Sequence, residues 1–499
     1  MKEKVAITGG AGFVGSNLGS MLHQKGYDVL LLDDLSFGNI DNLKKNGETF
    51  GTFRKIDIRT SELKNYFSDV DYVFHLAGIS TLPVCQSEPV NSIDVNVTGT
   101  VNVLEAARQS NVKRVIFAST AGVYENNSEF PCKEDDLTEP SLTYTLTKSF
   151  CEKLCNSYFK LYGLETCVTR YNNVYGPNQD INRKSPPFVA YVIREILQNR
   201  QPIFHSDGNQ KRDYVYIDDV NELNFLCMIN PNAKNQIFNV SSGKAFSVNE
   251  IYEIIVSIIN SKIKPLYRNS ELFWDKYPRL FEGNLVLNKK WIEKEVDKFA
   301  LSSTEKAEKI LNWKAKISMR EGLEYTIIWR THIVCWVAKS CLPLPGAFVE
   351  CGVYKGNTSG IITDYVLCGA NKPFYLYDLF ETSDTEGTGH DLPGLVEGLK
   401  EQVIEKFSAY KNTHVIAGHV PESLQDNHPD QVSFLHLDMN NGDAELSALD
   451  FFWDKMCPGG MVLFDDYGWM AYEEIKLKVD VFFSERGISV AELPTGQGL

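Results

Sequence analysis

The sequence predicts an α/β protein made of two doubly wound parallel-sheet domains, and three observations carry that expectation. A glycine-punctuated strand end, Val5-Ala6-Ile7-Thr8-Gly9-Gly10-Ala11-Gly12-Phe13-Val14-Gly15, opens the chain, and a second, Phe348-Val349-Glu350-Cys351-Gly352-Val353-Tyr354-Lys355-Gly356, begins its last third. After each, short Val/Ile-rich strands alternate with helical stretches. Between them Pro343-Leu344-Pro345-Gly346 marks a boundary. A chain of 499 residues also exceeds what one hydrophobic core supports.

In the first domain, placed at 1–329, strands are expected over 4–8, 28–32, 53–56, 72–76, 115–119 and 165–170, forming a cofactor part up to about residue 180. From there to about 317 prolines break the pattern (Pro186-Pro187, Pro202, Pro231, Pro265), as suits a smaller substrate-facing lobe. A long amphipathic helix is expected from Met319 to Cys341. In the second domain, 330–499, strands are expected over 348–350, 374–377, 413–416, 432–437, 461–464 and 488–493. The chain stops where a last antiparallel strand is expected to begin, so this domain is expected to be truncated or to lean on a partner.

The formal net charge of −15 argues against a nucleic-acid surface, and anionic substrates must be met by local arginines. No apolar run reaches membrane-spanning length and no signal-type segment precedes the first strand, so no membrane partner is expected and the protein is placed in the cytoplasm. Eleven cysteines without a Cys-x-x-Cys pair read as reduced packing residues.

The first strand end passes directly into a helix, the layout a pyrophosphate needs. Gly10 and Gly12 permit a tight turn and close backbone approach, Gly15 lets helix pack on strand, and the helix N-terminus faces the phosphates. Asp33 closes the second strand about 20 residues on, where a carboxylate accepts both ribose hydroxyls and repels a 2′-phosphate, which favours NAD. On Tyr144-Thr145-Leu146-Thr147-Lys148 a phenol and an ammonium sit one helical turn apart, and Thr120 ends the strand upstream. Ionising a tyrosine near neutrality needs a shift of about 3 pH units, about 4 kcal/mol. An ammonium at about 4 Å supplies about that at an effective dielectric near 20. Tyr144 is thus the expected acid–base, with Thr120 and Lys148 beside it.

With Leu32-Asp33-Asp34-Leu35, Asp57-Ile58-Arg59, His75-Leu76-Ala77-Gly78, Asn96-Val97-Thr98-Gly99-Thr100, Arg170-Tyr171-Asn172-Asn173-Val174-Tyr175-Gly176-Pro177 and Arg212-Asp213-Tyr214-Val215-Tyr216-Ile217-Asp218-Asp219-Val220, residues 1 to about 329 resemble the extended short-chain dehydrogenase/reductase family, near its UDP-glucose 4-epimerase-type members. The resemblance implies a Rossmann-type fold, a homodimer, a nucleotide-sugar substrate and NAD held by Gly9, Gly12, Phe13, Val14, Gly15 and Asp33. It implies that Asp57 and Ile58 border the adenine, that Leu76, Ala77, Gly78 and Asn96 line the cofactor, and that Asn173 and Arg212 hold the substrate diphosphate. The implied chemistry is oxidation at C4, turnover of a 4-keto sugar, and return of hydride to its other face. Ala121-Gly122 after Thr120 disfavours 4,6-dehydration, since related dehydratases carry an Asp-Glu pair there. UDP-glucuronate decarboxylation stays open, and Asn172, where the family usually has Phe, leaves the sugar open. His75 reads as a core residue.

In the second domain Glu350 and Gly352 close one strand and Asp378 closes the next without a dinucleotide fingerprint, which suits S-adenosylmethionine. Asp438, Asp465 and Asp466 end two later strands, where hard oxygen donors suit Mg²⁺. With Pro458-Gly459-Gly460 and Asp465-Asp466-Tyr467-Gly468, this region resembles the macrocin O-methyltransferase type of class I methyltransferases. The resemblance implies those three aspartates as metal ligands. Related enzymes place a base Lys where this chain has Asn441, leaving His436, Asp438 and Asp443 as candidates. The expectation is a bifunctional epimerase and sugar O-methyltransferase of surface-polysaccharide or antibiotic sugar biosynthesis. Its rivals are a decarboxylase or related oxidoreductase, and an epimerase carrying a non-catalytic binding or dimerisation module.

Overall fold

The computed structural model divides into two units, Met1–Ile327 and Ile328–Leu499. It describes all residues except 1, 46–47, 182, 199, 260, 355, 368–369, 381–397, 409, 440, 466, 468–472 and 492–496. In the first unit seven strands pair in parallel in the order Gln236–Val240, Glu165–Tyr171, Arg114–Thr120, Tyr72–His75, Lys4–Thr8, Asp28–Asp33, Thr52–Lys55. The order reverses between Lys4–Thr8 and Tyr72–His75, which opens a crevice at the C-terminal strand ends.

The inner strands are largely apolar because both faces are covered, whereas the edge strand Thr52–Lys55 is mostly exposed. Val5, Ile7, Leu31 and Ile116 enter one core, while Ala6, Leu30, Leu32, Val115 and Phe117 enter the other. Alternate residues therefore serve opposite layers, the period of two that a strand imposes. Helix Phe13–Gln24 follows the first strand with Gly12 as its N-cap and no side chain capping its first turn. Its leading N–H groups are left for a ligand.

A smaller lobe has its own core around Tyr175, Val192, Phe204, Tyr216, Ile251 and Leu323. A mixed sheet, Ala245–Ser247 with Lys211–Tyr216 and Asn173–Tyr175, and helices Phe188–Leu197 and Val248–Ile259 surround it. The lobe is not one stretch, as 180–317 suggested. Strand Gln236–Val240 returns to the main sheet, and helix Ile217–Ile229 sends Val220, Leu223 and Cys227 into the main core. The proline breaks show interruption but not which pieces cross back.

In the second unit five parallel strands run in the order Thr413–Ala417, Phe374–Asp378, Ala347–Cys351, Val432–Leu437, Met456–Phe464. The strand expected at 488–493 is absent over its described part, 488–491. Instead Ala491 and Leu499 exchange backbone hydrogen bonds, and Gly498 bridges antiparallel to Phe464. Helix Met319–Cys341 forms as expected: Met319, Leu323 and Ile327 pack in the lobe core, and Val334, Val337, Ala338 and Cys341 in the second unit's core. Among the described residues no helix is long and apolar enough to cross a membrane.

At Gly15 a Cβ would lie 2.1 Å from the Gly9 carbonyl oxygen, whereas at Gly12 it would meet only that oxygen, at 3.3 Å. Gly15→Ala is therefore expected to lower first-unit stability by about 1–3 kcal/mol, read as its thermal transition. Gly12→Ala, at an extended φ of −76°, should keep that transition and lose bound cofactor instead; a variant that retained full cofactor would show that Gly12 is not a contact point.

Candidate active site

A cleft of about 690 Å³ opens at the C-terminal strand ends of the first unit. Its wall includes Gly9, Gly12, Phe13, Val14, Gly15, Asp33, Asp57, Ile58, Leu76, Ala77, Gly78, Thr120, Tyr144, Asn173 and Arg212. Two expected residues stand behind that wall. Asn96, 3 % exposed, accepts the Ile79 N–H at 2.8 Å and donates to the Ile79 carbonyl at 3.0 Å and to Thr147 at 3.1 Å. Its amide is used up in shaping the loop after Gly78, so it acts on the cleft only through that loop. Lys148 is the other.

Asp33, 8 % exposed, accepts the Ala11 N–H at 3.0 Å and the Leu35 N–H at 2.8 Å. Burial raises its pKa, and those two amides pull against it. Each oxygen keeps a lone pair for a hydroxyl. Asp57 is held low by its hydrogen bond with Arg59, whose guanidinium also reaches Asp94 at 3.2 Å. The ion pair braces the loop at the cleft edge, and Ile58 packs under Gly99.

Tyr144 projects from the first turn of helix Thr143–Tyr162 towards Thr120, the last residue of strand Arg114–Thr120. Its environment reverses the expected sign. Burial raises the phenol above its ordinary value, the Cys85 thiol adds to this, and the Thr120 hydrogen bond and the Arg183 charge oppose it. Lys148 does not supply the stabilisation: its ammonium donates to the Ala118 carbonyl at 2.7 Å and lies 4.8 Å over the Phe117 ring. Burial lowers its pKa as well. Helical spacing put the two residues on one face, but where the amine ends depends on the neighbouring strand.

Sequence reasoning missed Arg183 and the polar network under the strand ends. The Glu152 carboxylate takes both arms of Arg170, at 3.0 and 2.7 Å, and accepts the Ser119 hydroxyl at 2.5 Å. Arg170 in turn donates to the Tyr124 hydroxyl at 2.6 Å, which donates to Asn239 at 2.9 Å. Fully partnered buried groups of this kind hold the strand ends in register. His75, 1 % exposed, sits between the Thr8 and Thr100 hydroxyls at 2.8 and 2.9 Å.

On the far side, Asn173 donates to the Asp213 carbonyl at 3.0 Å, and Arg212 is anchored on the carbonyls of Glu295 and Val296 at the end of helix Lys289–Asp297. Asn172 spends its amide on the Val240 carbonyl at 3.1 Å and accepts Ser302 at 3.3 Å.

In the second unit Asp378 accepts the Tyr354 N–H at 2.7 Å and the Phe380 N–H at 3.0 Å. Glu350, expected at a cofactor, is instead 1 % exposed and turned inward, accepting Ser359 and facing His436 Nδ1 at 3.1 Å. Gly352 has φ +94°, and a Cβ there would meet the Asp438 carbonyl oxygen at 1.9 Å, so its glycine serves strand packing. Asp465 accepts the Gln497 amide at 2.7 Å and lies 3.8 Å from His436 Nε2, an ion-pair rather than a hydrogen-bond distance. Asp438 ends the neighbouring strand, Asp466 lies outside the described residues, and among the described residues no three acidic, histidine or cysteine side chains gather as a metal site. Asn441, where related enzymes place a base Lys, caps helix Gly442–Trp453, and of the candidate bases Asp443 is an exposed partner of Lys478 at 2.7 Å while His436 is buried against Glu350.

Residues 5–241 match the NAD dependent epimerase/dehydratase family and residues 336–492 match Macrocin-O-methyltransferase (TylF). The chain is similar to a putative UDP-glucose 4-epimerase of Methanocaldococcus jannaschii, 36 % identical over 65 % of this chain and 97 % of that protein. It is similar also to a UDP-glucuronate 4-epimerase of Thermodesulfobacterium geofontis, 32 % identical over 65 % of this chain and 94 % of the other. Among solved structures it resembles the UDP-glucose 4-epimerase of Thermotoga maritima with UDP-glucose, with TM-score 0.58 and 31 % identity over 66 % of this chain and 99 % of that one.

The two buried histidines predict opposite pH dependences. Burial first, and then Lys148, pushes His75 down to about 3. An unfolded imidazole takes a proton below about pH 6.5, which the folded first unit refuses, so that unit loses stability as pH falls from there. Burial also opposes charge on His436, but Asp465 and Glu350 lift it to about 10. Its contribution is complete below about pH 6.5 and lost as pH rises through about 10. Calorimetry should show the first-unit transition falling in acid and the second falling in base; His75→Asn should flatten the acid slope, and an unchanged slope would exclude His75 as its source.

Proposed function

Because this chain belongs to the NAD dependent epimerase/dehydratase family through residues 5–241, we propose that its first unit inverts C4 of a nucleotide sugar through a 4-keto intermediate. The observation that carries this reading is one cleft that joins the Asp33-braced glycine turn to the Thr120–Tyr144 pair. The chemistry that NAD would supply when bound is that of a hydride acceptor and donor for C4. Gly9, Gly12 and the uncapped helix start fit its pyrophosphate, and Asp33 keeps lone pairs for a ribose.

Burial holds the Tyr144 phenol protonated, so it would need the positive charge of bound nicotinamide beside that of Arg183 to take the C4 hydroxyl proton as the C4–H bond breaks, and it would give the proton back when the ketone is reduced on the opposite face. Thr120 steadies the phenolate by its hydrogen bond, and Arg183 adds positive charge. Lys148 holds the Ala118 carbonyl and so the strand that presents Thr120. Arg212, anchored by the helix-end carbonyls, forks onto the diphosphate, with Asn173 beside it. The free described cysteines, nearly all buried, suit a reducing cytoplasm.

The second unit, which matches Macrocin-O-methyltransferase (TylF), is read as an S-adenosylmethionine-dependent O-methyltransferase acting on a sugar hydroxyl. Asp378 stands where it fits ribose hydroxyls. Asp438, Asp465 and Asp466 are oxygen donors of the kind Mg²⁺ prefers, and the ion would lower the pKa of a hydroxyl bound to it.

Tyr144→Phe is expected to lower C4 inversion, followed by NMR of the sugar, by about 10²- to 10⁴-fold with NAD still bound; undiminished turnover would overturn the reading. Chelation with EDTA should stop methyl transfer, measured by product mass, and spare epimerisation. Methylation that persists in EDTA would remove the metal from the scheme.

A further inference from the structure

The reacting phenol stands on a helix whose start is held from outside. Tyr144 is the second residue of helix Thr143–Tyr162, and the residue at the N-cap, Leu142, makes no side-chain cap bond. The helix thus lacks a cap of its own where the position of the phenol is set. Two side chains distant in sequence take that place. Gln86, on helix Leu82–Ser87, accepts the Thr143 N–H at 3.2 Å and the Thr143 hydroxyl at 3.0 Å. Glu125 does more. One oxygen of its carboxylate accepts the backbone N–H groups of Ser141 and, at 3.0 Å, of Leu142, and the other accepts the Thr145 hydroxyl at 2.9 Å. It therefore brackets Tyr144, binding residues on both sides of it in the chain.

Glu125 belongs at the same time to the segment of Thr120. It follows directly on the turn Ala121–Tyr124, into which strand Arg114–Thr120 runs, and its N–H donates to the Gly122 carbonyl at 3.0 Å. The Gly122 N–H in turn donates to the Thr120 hydroxyl at 3.0 Å, and a Cβ on Gly122 would meet the Thr145 methyl at 2.8 Å. Thr120 and Tyr144 thus lie on two closely packed segments, and the Glu125 carboxylate fastens one to the other. Next to it, Asn126 donates to the Glu139 carbonyl at 2.5 Å and to the Ser141 hydroxyl at 3.1 Å, and accepts Lys294 at 2.5 Å. The loop before the helix is braced there too. Lys148, one turn along the helix, does not share this task, because its ammonium is committed to the Ala118 carbonyl.

The hydrogen bond between Thr120 and Tyr144 persists while strand end and helix start keep their spacing. A shift of a reacting group by about 1 Å costs about 100-fold in rate. A carboxylate suits the fastening role because hydrogen bonds to it are roughly twice as strong as those to a neutral acceptor, and its two oxygens serve the two sides of Tyr144 at once.

We propose that Glu125 is a positioning residue for the acid–base step: its carboxylate locks the first turn of helix Thr143–Tyr162 to the Thr120 turn and so aims the Tyr144 hydroxyl. The proposal rests on reading the cleft as an epimerase site. The test uses the full chain with UDP-glucose, UDP-N-acetylglucosamine and UDP-glucuronate as probes, epimerisation being followed by NMR. Rates are taken per bound NAD, which removes any loss of folded protein. On the sugar that the wild-type chain turns over, Glu125→Ala should lower kcat by about 100-fold and move KM by less than about 2-fold. Glu125→Gln, which keeps an acceptor for the two backbone N–H groups, should recover kcat to within about 10-fold of wild type. Thr145→Val, which removes one of the bonds and keeps the volume, should lower kcat by about 5-fold at the same KM, and it carries the test if Glu125→Ala does not fold. A kcat that these variants leave unmoved, a loss carried by KM, or a Glu125→Gln chain as slow as Glu125→Ala would overturn the positioning role and leave the epimerase reading intact. Absence of turnover on all three sugars would remove the epimerase reading and this role with it.

Discussion

One carboxylate at the end of the second strand organises each unit. Asp33 bridges the Ala11 N–H in the turn after the first strand and the Leu35 N–H two residues beyond itself. Asp378 does the same with Tyr354 and Phe380. Both i+2 residues are non-glycine and left-handed, Leu35 at φ +63° and Phe380 at φ +50°. Such a conformation costs about 1–2 kcal/mol, and it persists because the charge-assisted bonds that need it are stronger than neutral ones. Each clamp fixes the loop after the first strand against the second, and the cleft at the strand ends exists because these loops stand apart.

Two cores then treat buried charge differently. In the first unit His75 lies among hydroxyls and near Lys148, which leaves its imidazole neutral. The charge under the active strand ends is carried instead by the bidentate Glu152–Arg170 pair. In the second unit His436 lies between Glu350 and Asp465, whose carboxylates raise its pKa and favour the charged imidazolium. Two strand ends are thereby tied through one imidazole, and Gln497 joins them by its bond to Asp465. The Glu152–Arg170 pair is hydrogen-bonded through both arms, whereas His436 Nε2 meets Asp465 only as a charge at 3.8 Å.

The residues most legible beforehand were those whose chemistry depends on the backbone. Gly9, Gly12 and Gly15 announce a turn and a close helix by lacking a Cβ, and Asp33 announces itself by spacing. Thr120 and Tyr144 share the cleft as their positions on strand end and helix suggested. Long side chains were less legible. Lys148 has the right helical spacing, yet its amine goes to the Ala118 carbonyl. Asn96 turns to Ile79 and Thr147, and Glu350 to Ser359 and His436. Arg183, on a loop, carried no periodic signal at all.

From residue types and their period alone came the two parallel sheets, the glycine turns, the long helix Met319–Cys341 and the acid closing each second strand, because backbone sterics and alternation act over a few neighbours in the chain. Tertiary structure alone decided which distant segment fills each edge: Gln236–Val240 completing the main sheet, Gly498 beside Phe464, and Tyr277 beside the loop of Ser185. It also decided the protonation of Tyr144, His75 and His436, because burial and charge are set by groups far apart in the chain and close in space.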